Sequence, residues 1–451
     1  MSETIVAIAT PSGQGGVAIV RLSGENALEI AGKIAKNPTD TPRMAKFTAF
    51  VDQKGELFDQ GLMLYFKAPF SFTGEEVVEL HCHGGRAVTQ LLLEACLAAG
   101  ARMALPGEFS QRAFLNDKMD LAQAEAVADL IDAQSTAAVK AASRSLQGAF
   151  SQVIQELVAD LVQLRVYIEA ALDFPEEEID FLAEGDISSR LQLWGERLQR
   201  LIEQSGQGRL INDGINLVLI GKPNAGKSSL LNALLGDERA IVTEQAGTTR
   251  DVIKESIVIE GMPVNILDTA GLRDSDDLVE QEGIRRTQQA IKQADIIVLL
   301  IDGAKFSLDY AQEMAEIEAL KQTFPAEIPV MTVYNKADLV SLDFKKQFAQ
   351  QLWIAAKNGE QIDAFKCNVA DKVGRQVREE TPFIARERHM NALKKAQLHY
   401  QQAVEQLVGY RVGELVAEDL RLVHEALGEI TGKMKADDLL GEIFSSFCIG
   451  K

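Results

Sequence analysis

No stretch of this 451-residue chain approaches the roughly 20 consecutive apolar residues of a membrane-spanning helix, so no membrane span is expected. Cysteine is scarce. Cys82, Cys96, Cys367 and Cys448 are the four, and they show no spacing of a disulfide framework. The amino end, MSETIVAIATPSG, lacks the basic start and long apolar core of a secretion signal. Both features point to a reducing, cytoplasmic setting. Positive charge is also short: 46 Lys and Arg stand against 66 Asp and Glu, a net charge of −20. Nucleic-acid affinity rests largely on cations that displace counterions from phosphates. A chain this acidic cannot bind RNA through its overall field. It needs a local basic patch or a partner that supplies the charge.

What is present is ordinary for a soluble globular protein, 46% apolar and 25% charged, at a length that suggests two to four domains. Three textures follow one another, without repeats or low-complexity tracts. Residues 1–118 mix short β-rich runs (TIVAIAT, GVAIVRL, FTAFV, GLMLYF, EVVELHC) with glycine turns and the helical AVTQLLLEACLAAG, an α+β pattern. Residues 119–210 read as helical. Phe150, Ile154, Leu157, Leu161, Leu164 and Ile168 form one apolar stripe, and Ile187, Leu191, Trp194, Leu198 and Leu201 a second. From QSGQGRLINDG the texture alternates β and α over 214–378. INLVLI, PVNILD, DIIVLLID, PVMTVYNK and QLWIAA predict the buried strands of a parallel, doubly wound sheet. Helical periodicity returns over 379–451, so the α/β domain reads as an insertion into a helical one.

The strongest constellation is GKPNAGKSS, 221–229, between the strand run INLVLI and the helical SLLNALLG. It fits the phosphate-loop pattern in the context that pattern requires. Gly221 and Gly226 let backbone N–H groups curl around phosphate oxygens at a helix N-terminus. Lys227 is placed to reach the β- and γ-phosphates, and Ser228 to ligate Mg²⁺. DTAG follows a strand, with Asp268 as the magnesium-side carboxylate and the Gly271 amide facing a γ-phosphate. Between them lies AGTTRD, where Thr248 or Thr249 can close over Mg²⁺ as a switch loop. NKAD ends the strand run VMTVYN, and a carboxylate at Asp338 can accept both the ring N–H and the exocyclic amine of guanine, a donor pair that adenine lacks. AAK, 355–357, offers a backbone amide to the guanine carbonyl. Together these loops predict a GTPase domain.

Hydrolysis needs more. In Ras-like switches a glutamine after the DxxG glycine orients the attacking water, and here that position is Leu272. An arginine supplied from outside is worth about 10³–10⁵ in rate in such enzymes, so a substitute is required. Asn224 is a candidate: its amide oxygen can hold a monovalent cation against the phosphates. Glu280, Asp274, Asp276 and Asp277 are all carboxylates that can position water, and spacing does not choose among them.

With these residues in view, the chain resembles the bacterial tRNA wobble-uridine modification GTPases, the MnmE or TrmE family, over its whole length. ATPSGQGGVAIVRLSG, SFTGEEVVELHCHGG and PGEFSQRAFLNDKMDLAQAEAVADLI resemble that family's first domain and hinge. GKPNAGKSSLLNAL and AGTTRD resemble its GTPase domain, and FCIGK its terminus. The resemblance implies a multidomain fold: an α+β tetrahydrofolate-binding and dimerising domain, a split all-α domain, and an inserted Ras-like P-loop α/β domain. It implies GTP contacts from Asn224, Ala225, Gly226, Lys227, Ser228 and Ser229. The next contacts are Thr243, Glu244, Gln245, Ala246, Gly247 and Thr248, then Asp268, Thr269, Ala270 and Gly271. Guanine contacts fall on Asn335, Lys336, Ala337, Asp338, Ala355, Ala356 and Lys357. Mg²⁺ would sit at Ser228 and Thr249, and K⁺ at Asn224, Thr243, Gln245 and Thr248, where two GTPase domains of a homodimer meet. By the same resemblance Glu280 is the water-positioning carboxylate. Arg21, Glu79, Lys118 and Lys451 are the folate contacts, and Cys448 is a reactive thiol carried toward them.

The implied partners are tRNA and a flavoprotein of the MnmG (GidA) type that uses FAD and NADH, in a heterotetramer or larger complex. The pair would add an aminomethyl or carboxymethylaminomethyl group to carbon 5 of the wobble uridine, the one-carbon unit coming from methylene-tetrahydrofolate. Such a partner accounts for the acidic charge, since it can carry much of the tRNA contact. The alternative function is a regulatory or ribosome-assembly GTPase switch, which needs neither the first 118 residues nor FCIGK. Four smaller features remain. CIGK is a poor prenylation signal, because Gly450 is not aliphatic. HCHGG, with His81 and His83, is a strand end and turn rather than a metal site. Gly13, Gly15 and Gly16 form a glycine turn, and Ala355, where many GTPases have serine, predicts a slightly looser guanine loop.

Overall fold

Alternating apolar residues in the first 118 positions fold as one face of a sheet. The computed structural model describes residues 3–11, 13–173, 185–236, 254–259, 262–268, 290–374, 383–407, 413–432, 443–445, 447 and 450. The chain divides into two compact units, Met1–Ala128 with Leu146–Glu169 and Val412–Lys451, and Asp129–Ser145 with Ala170–Arg411.

In the first unit, β1 (Ile5–Ile8), β2 (Gly15–Ser23), β3 (Lys46–Val51), β4 (Leu57–Phe66), β5 (Val77–Gly84) and β6 (Arg102–Met103) form a sheet in the order β3-β4-β5-β2-β1-β6. All pairs are antiparallel except β1 with β6. Ala18, Val20 and Leu22 of β2 and Val78, Leu80 and Cys82 of β5 point to one face. There they pack with Ile30 of α1 (Ala27–Ile34) and Leu92 and Cys96 of α2 (Arg86–Ala98). Each such buried aliphatic side chain contributes about 1.5–3 kcal/mol before entropy is counted. The period of two then places Arg21, Glu79 and His81 on the opposite face. Gly15 and Gly16 open β2, and His81 and His83 lie within β5. No group of three or more metal-ligating side chains occurs among the described residues.

The long helical tract is not one helix. It forms α4 (Leu121–Asp132), α5 (Thr136–Leu146) and α6 (Ala149–Asp173). Ser135 Oγ accepts the Ala138 N–H at 3.1 Å, an N-terminal cap that restarts the chain as α5. Gly148 takes φ +90°, a left-handed conformation that ends the next segment. Every residue of the two apolar stripes is buried, Leu164 the most exposed at 5%. The second stripe lies on α7 (Gly185–Asp213), which runs straight through Gly206 and Gly208 and ends just before Gly214, at φ +77°. Gly208 is glycine for packing: a methyl group there would stand 2.6 Å from the Phe383 carbonyl oxygen.

The second unit's sheet has the order β12-β11-β10-β7-β9-β8, from β7 (Ile215–Ile220), β8 (Lys254–Ile259), β9 (Met262–Asp268), β10 (Ile296–Asp302), β11 (Val330–Asn335) and β12 (Leu352–Trp353). The expected parallel sheet needs one correction, because β8 pairs antiparallel with β9 and only the other five strands are parallel. β8 sits at the edge, where a short link from its neighbour suffices and no crossover is needed. After β7 the chain goes to β8 and β9 on one side and returns to β10 on the other. The carboxyl end of β7 therefore lies at the topological switch point, where open α/β sheets bind ligands.

Candidate nucleotide and cofactor sites

At that switch point the chain leaves β7 as Gly221–Gly226 and enters α8 (Lys227–Leu235). Asn224 and Gly226 take φ +65° and +98°, which curl the loop. Gly226 is obligatory, since a methyl group would stand 2.1 Å from Asn335 Nδ2, and one at Gly221 would stand 2.5 Å from the Leu300 carbonyl. Lys227 Nζ donates to the Gly221 carbonyl at 2.5 Å and to the Lys222 carbonyl at 3.3 Å. The ammonium is thus held across the mouth of the loop. Ala225 is buried, while the side chains of Asn224, Ser228 and Ser229 are exposed. An exposed hydroxyl and amide at a helix N-terminus, beside a lysine, fit a phosphate–magnesium group and an adjacent monovalent cation.

The NKAD and AAK loops leave β11 and β12 on the same sheet edge. Asn335 is buried, and its Nδ2 donates to the Ala225 carbonyl at 2.9 Å while its Oδ1 accepts the Ala356 N–H at 3.0 Å. One side chain therefore ties NKAD, AAK and the phosphate loop together. Lys336, at φ +61°, donates its ammonium to Asp302 Oδ2 at 2.7 Å. The other oxygen of Asp302 caps the helix Gly303–Leu308 through the Ala304 and Lys305 N–H groups. Ala337 N–H reaches the Ile354 carbonyl at 2.9 Å, and Ala355 and Glu360 exchange backbone bonds at 3.1 and 3.2 Å. Asp338 and Lys357 are exposed at the rim. Asp302 was not anticipated. Its only signal in the sequence is an aspartate ending a buried strand run just before a helix.

Several expected contacts fall outside the described residues: Thr243, Glu244, Gln245, Ala246, Gly247, Thr248, Thr249, Thr269, Ala270, Gly271 and Glu280, with Cys448 and Lys451. Asp268 is described as the last residue of β9.

The first unit holds the second candidate site. Arg21 and Glu79 are direct cross-strand partners of β2 and β5, with Arg21 Nε and Nη2 at 3.0 and 2.9 Å from Glu79 Oε1. His81 Nε2 lies 3.3 Å from the other carboxylate oxygen. The Arg21 guanidinium lies over the rings of Phe72 and Phe109, 5.7 and 5.8 Å from their centres. Lys118 donates to the Pro69 carbonyl at 2.9 Å and packs at Gly74, in the loop that carries Phe72. A carboxylate, a guanidinium and two rings on one sheet face fit a flat heterocycle with an amino-amide edge. Behind them Arg112 donates to Glu75 at 2.8 Å and to Glu108 at 2.9 Å, and Arg102 donates to Glu108 at 2.7 Å. Burial pushes the Glu108 carboxyl up, but hydrogen bonds from Arg102, the Leu105 N–H and Arg112 outweigh it and hold the group below its usual range. Sequence reading missed this network.

The carboxyl-terminal segment reaches the same unit. Phe444 and Phe447 pack with Leu121 and Ala124, and Gly107, at φ +64°, approaches Phe444 so closely that a methyl would stand 2.4 Å from its carbonyl. Gly107 precedes α3 (Glu108–Leu115), the helix that supplies Phe109. Gly450, at φ +96°, lies against the end of β1, where a methyl would stand 2.4 Å from the Ile8 carbonyl. Ile8 neighbours Ala7, which is paired with Arg21. The tail thus docks one strand away from the Arg21–Glu79 pair.

Five parallel strands, the phosphate loop at their switch point and the NKAD and AAK loops beside it define a P-loop GTPase. Residues 4–118 match the family model for the GTP-binding protein TrmE N-terminus, and residues 121–448 the MnmE helical domain. Over 450 residues the chain is 56% identical to the tRNA modification GTPase MnmE of Dichelobacter nodosus, covering 100% of this chain and 99% of that one. It is 51% identical to the protein of the same name from Legionella pneumophila (strain Corby), covering 100% and 99%, and 50% identical to that of Coxiella burnetii (strain RSA 493), with the same coverage. The chain belongs to the MnmE (TrmE) family of tRNA modification GTPases.

Proposed function

We propose that this chain hydrolyses GTP in a K⁺-dependent cycle activated by dimerisation, within a cytoplasmic complex that modifies carbon 5 of the tRNA wobble uridine. The observation that carries the nucleotide half of this reading is Asn335, which joins the phosphate loop to both guanine-reading loops. Full-length similarity to relatives named for tRNA modification carries the other half.

In this reading the backbone amides of Asn224, Gly226, Lys227 and Ser228 bind the phosphates, and Lys227 leaves its two carbonyls for them. Asp338 accepts the two guanine donors. Ser228 and Thr249 would hold Mg²⁺, and Asn224, Thr243, Gln245 and Thr248 would hold K⁺ where two GTPase domains pair. Bound there, the cations supply positive charge that the loop's own side chains do not. With Leu272 unable to orient water, Glu280 would take that role.

The domains are then a folate-binding and dimerising one over 1–118, helical parts over 119–210 and 379–451, and the GTPase domain over 214–378. Arg21 and Lys118 would bind the acidic tail of a tetrahydrofolate and Glu79 its amino-amide edge, with Lys451 closing the site. Cys448 would be the reactive thiol of that site. A flavoprotein of the MnmG type, carrying FAD and NADH, completes the complex.

Two measurements test the reading. Nucleoside mass spectrometry of tRNA from cells lacking the chain is expected to show loss of the carbon-5 aminomethyl or carboxymethylaminomethyl group. An unchanged wobble uridine sinks it. GTP turnover is expected to rise steeply in K⁺ over Na⁺, and equal rates remove the cation step.

A further inference from the structure

Lys222 is the second residue of the phosphate loop, yet its side chain does not serve the phosphates. It bends back to the helix Tyr310–Lys321. There Nζ donates to Glu313 Oε1 at 2.9 Å and pairs with Glu316 as well. The two carboxylates stand three residues apart, on one face of that helix. Glu313 is well shielded, its side chain 13% exposed. An acidic pair beside a site for a highly anionic ligand is unfavourable unless something neutralises it and puts it to use.

The backbone of Lys222 explains the use. Its carbonyl accepts the Ala225 N–H at 3.2 Å and Lys227 Nζ at 3.3 Å, so it is a node of the loop's curl. The far half of the loop is fixed by Asn335 at the Ala225 carbonyl. The near half has Lys222 as its tether. We propose that the Lys222–Glu313–Glu316 clamp is a positioning device, which holds the first half of the phosphate loop in its phosphate-receiving curl and neutralises the acidic pair at its edge. This rests on the nucleotide-binding reading above. A loop held in its bound shape loses less conformational freedom when ligand arrives, so the clamp acts on affinity rather than on the chemical step.

Titration of the full-length protein with fluorescent GTP and GDP tests it. If the wild type binds neither, the nucleotide-binding reading fails. If it binds, the variants test the clamp alone. K222A is expected to weaken both nucleotides about fivefold, the upper range for a partly exposed ion pair. Turnover at saturating GTP should stay within about twofold of wild type, so that KM moves and kcat does not. E313Q/E316Q should weaken binding equally, the triple variant should be no worse than either, and K222R should recover most of the loss. Unchanged or tighter binding in E313Q/E316Q overturns the clamp, because a freed Lys222 would then be an ordinary phosphate-attracting cation. Additive losses in the triple variant overturn it too.

Discussion

The Asn335 side-chain amide donates to the carbonyl of Ala225, 110 residues earlier in the chain, across 2.9 Å of buried space. Its oxygen takes the Ala356 N–H, so this one residue holds the phosphate loop and the NKAD and AAK loops in register. Removing it leaves a buried carbonyl and a buried N–H without their partner. Each such loss costs about 1–3 kcal/mol. N335A is therefore expected to weaken GTP and GDP by roughly 10–100-fold, since about 1.4 kcal/mol is tenfold. Titration calorimetry checks this, and affinity within twofold of wild type would show that the two loops hold their places independently.

Asp338 is exposed at the end of the NKAD turn, free of the packing that fixes Asn335. Its proposed work is to accept two hydrogen bonds from guanine. Xanthine carries a carbonyl where guanine carries its amine. An asparagine, with one acceptor and one donor, therefore suits xanthine better. D338N is expected to exchange preference from GTP to XTP by at least about tenfold, the worth of one good hydrogen bond misplaced. Competition of XTP and GTP for the variant reads the ratio. Retained GTP preference would move guanine recognition elsewhere.

Much of this was legible because buried parallel strands are continuous apolar runs and their functional loops follow at fixed places. INLVLI became β7 residue for residue, and the loop after it is the curled one. KESIVI was passed over because an edge strand alternates: Ile257 and Ile259 are buried while Ser256 and Val258 are only half so. The glycines of QSGQG looked like a boundary, yet Gly208 serves a close helix–backbone approach that depends on Phe383, 175 positions on. The pairs Lys222–Glu313 and Arg112–Glu75 join residues 91 and 37 apart. Nothing local distinguishes such charges from solvated ones. The fold chooses them.

Arg21 and Glu79 neutralise each other across two strands of the first sheet. The pair is largely shielded, 22% and 15% exposed, so breaking it costs about 1–3 kcal/mol. The chain should still fold, while the ligand loses a charged contact. R21A and E79Q are each expected to weaken 5-formyl-tetrahydrofolate at least about tenfold in calorimetric affinity, with the circular-dichroism spectrum of the folded protein retained. Undiminished binding in both would exclude this face as the folate site.

Glu108 tests how the first unit is held together in acid. It accepts from Arg102, from Arg112 and from the Leu105 N–H, and these partners hold its carboxyl below the ordinary value of 4.5 despite burial. A carboxyl depressed in the folded state adds stability that is present above 4.5 and is lost as pH falls through the folded value. E108Q leaves Arg112 and Arg102 short of a charge partner, a break worth about 3 kcal/mol for a buried pair. Hydrogen exchange of the amides in 102–115, corrected for intrinsic rates, is expected to show that gap at pH 7. It should narrow steadily below pH 4.5, as the wild-type carboxyl takes up its proton and comes to resemble the amide. Parallel pH profiles for the two proteins would mean that Glu75 alone balances Arg112 and that Glu108 is packing only.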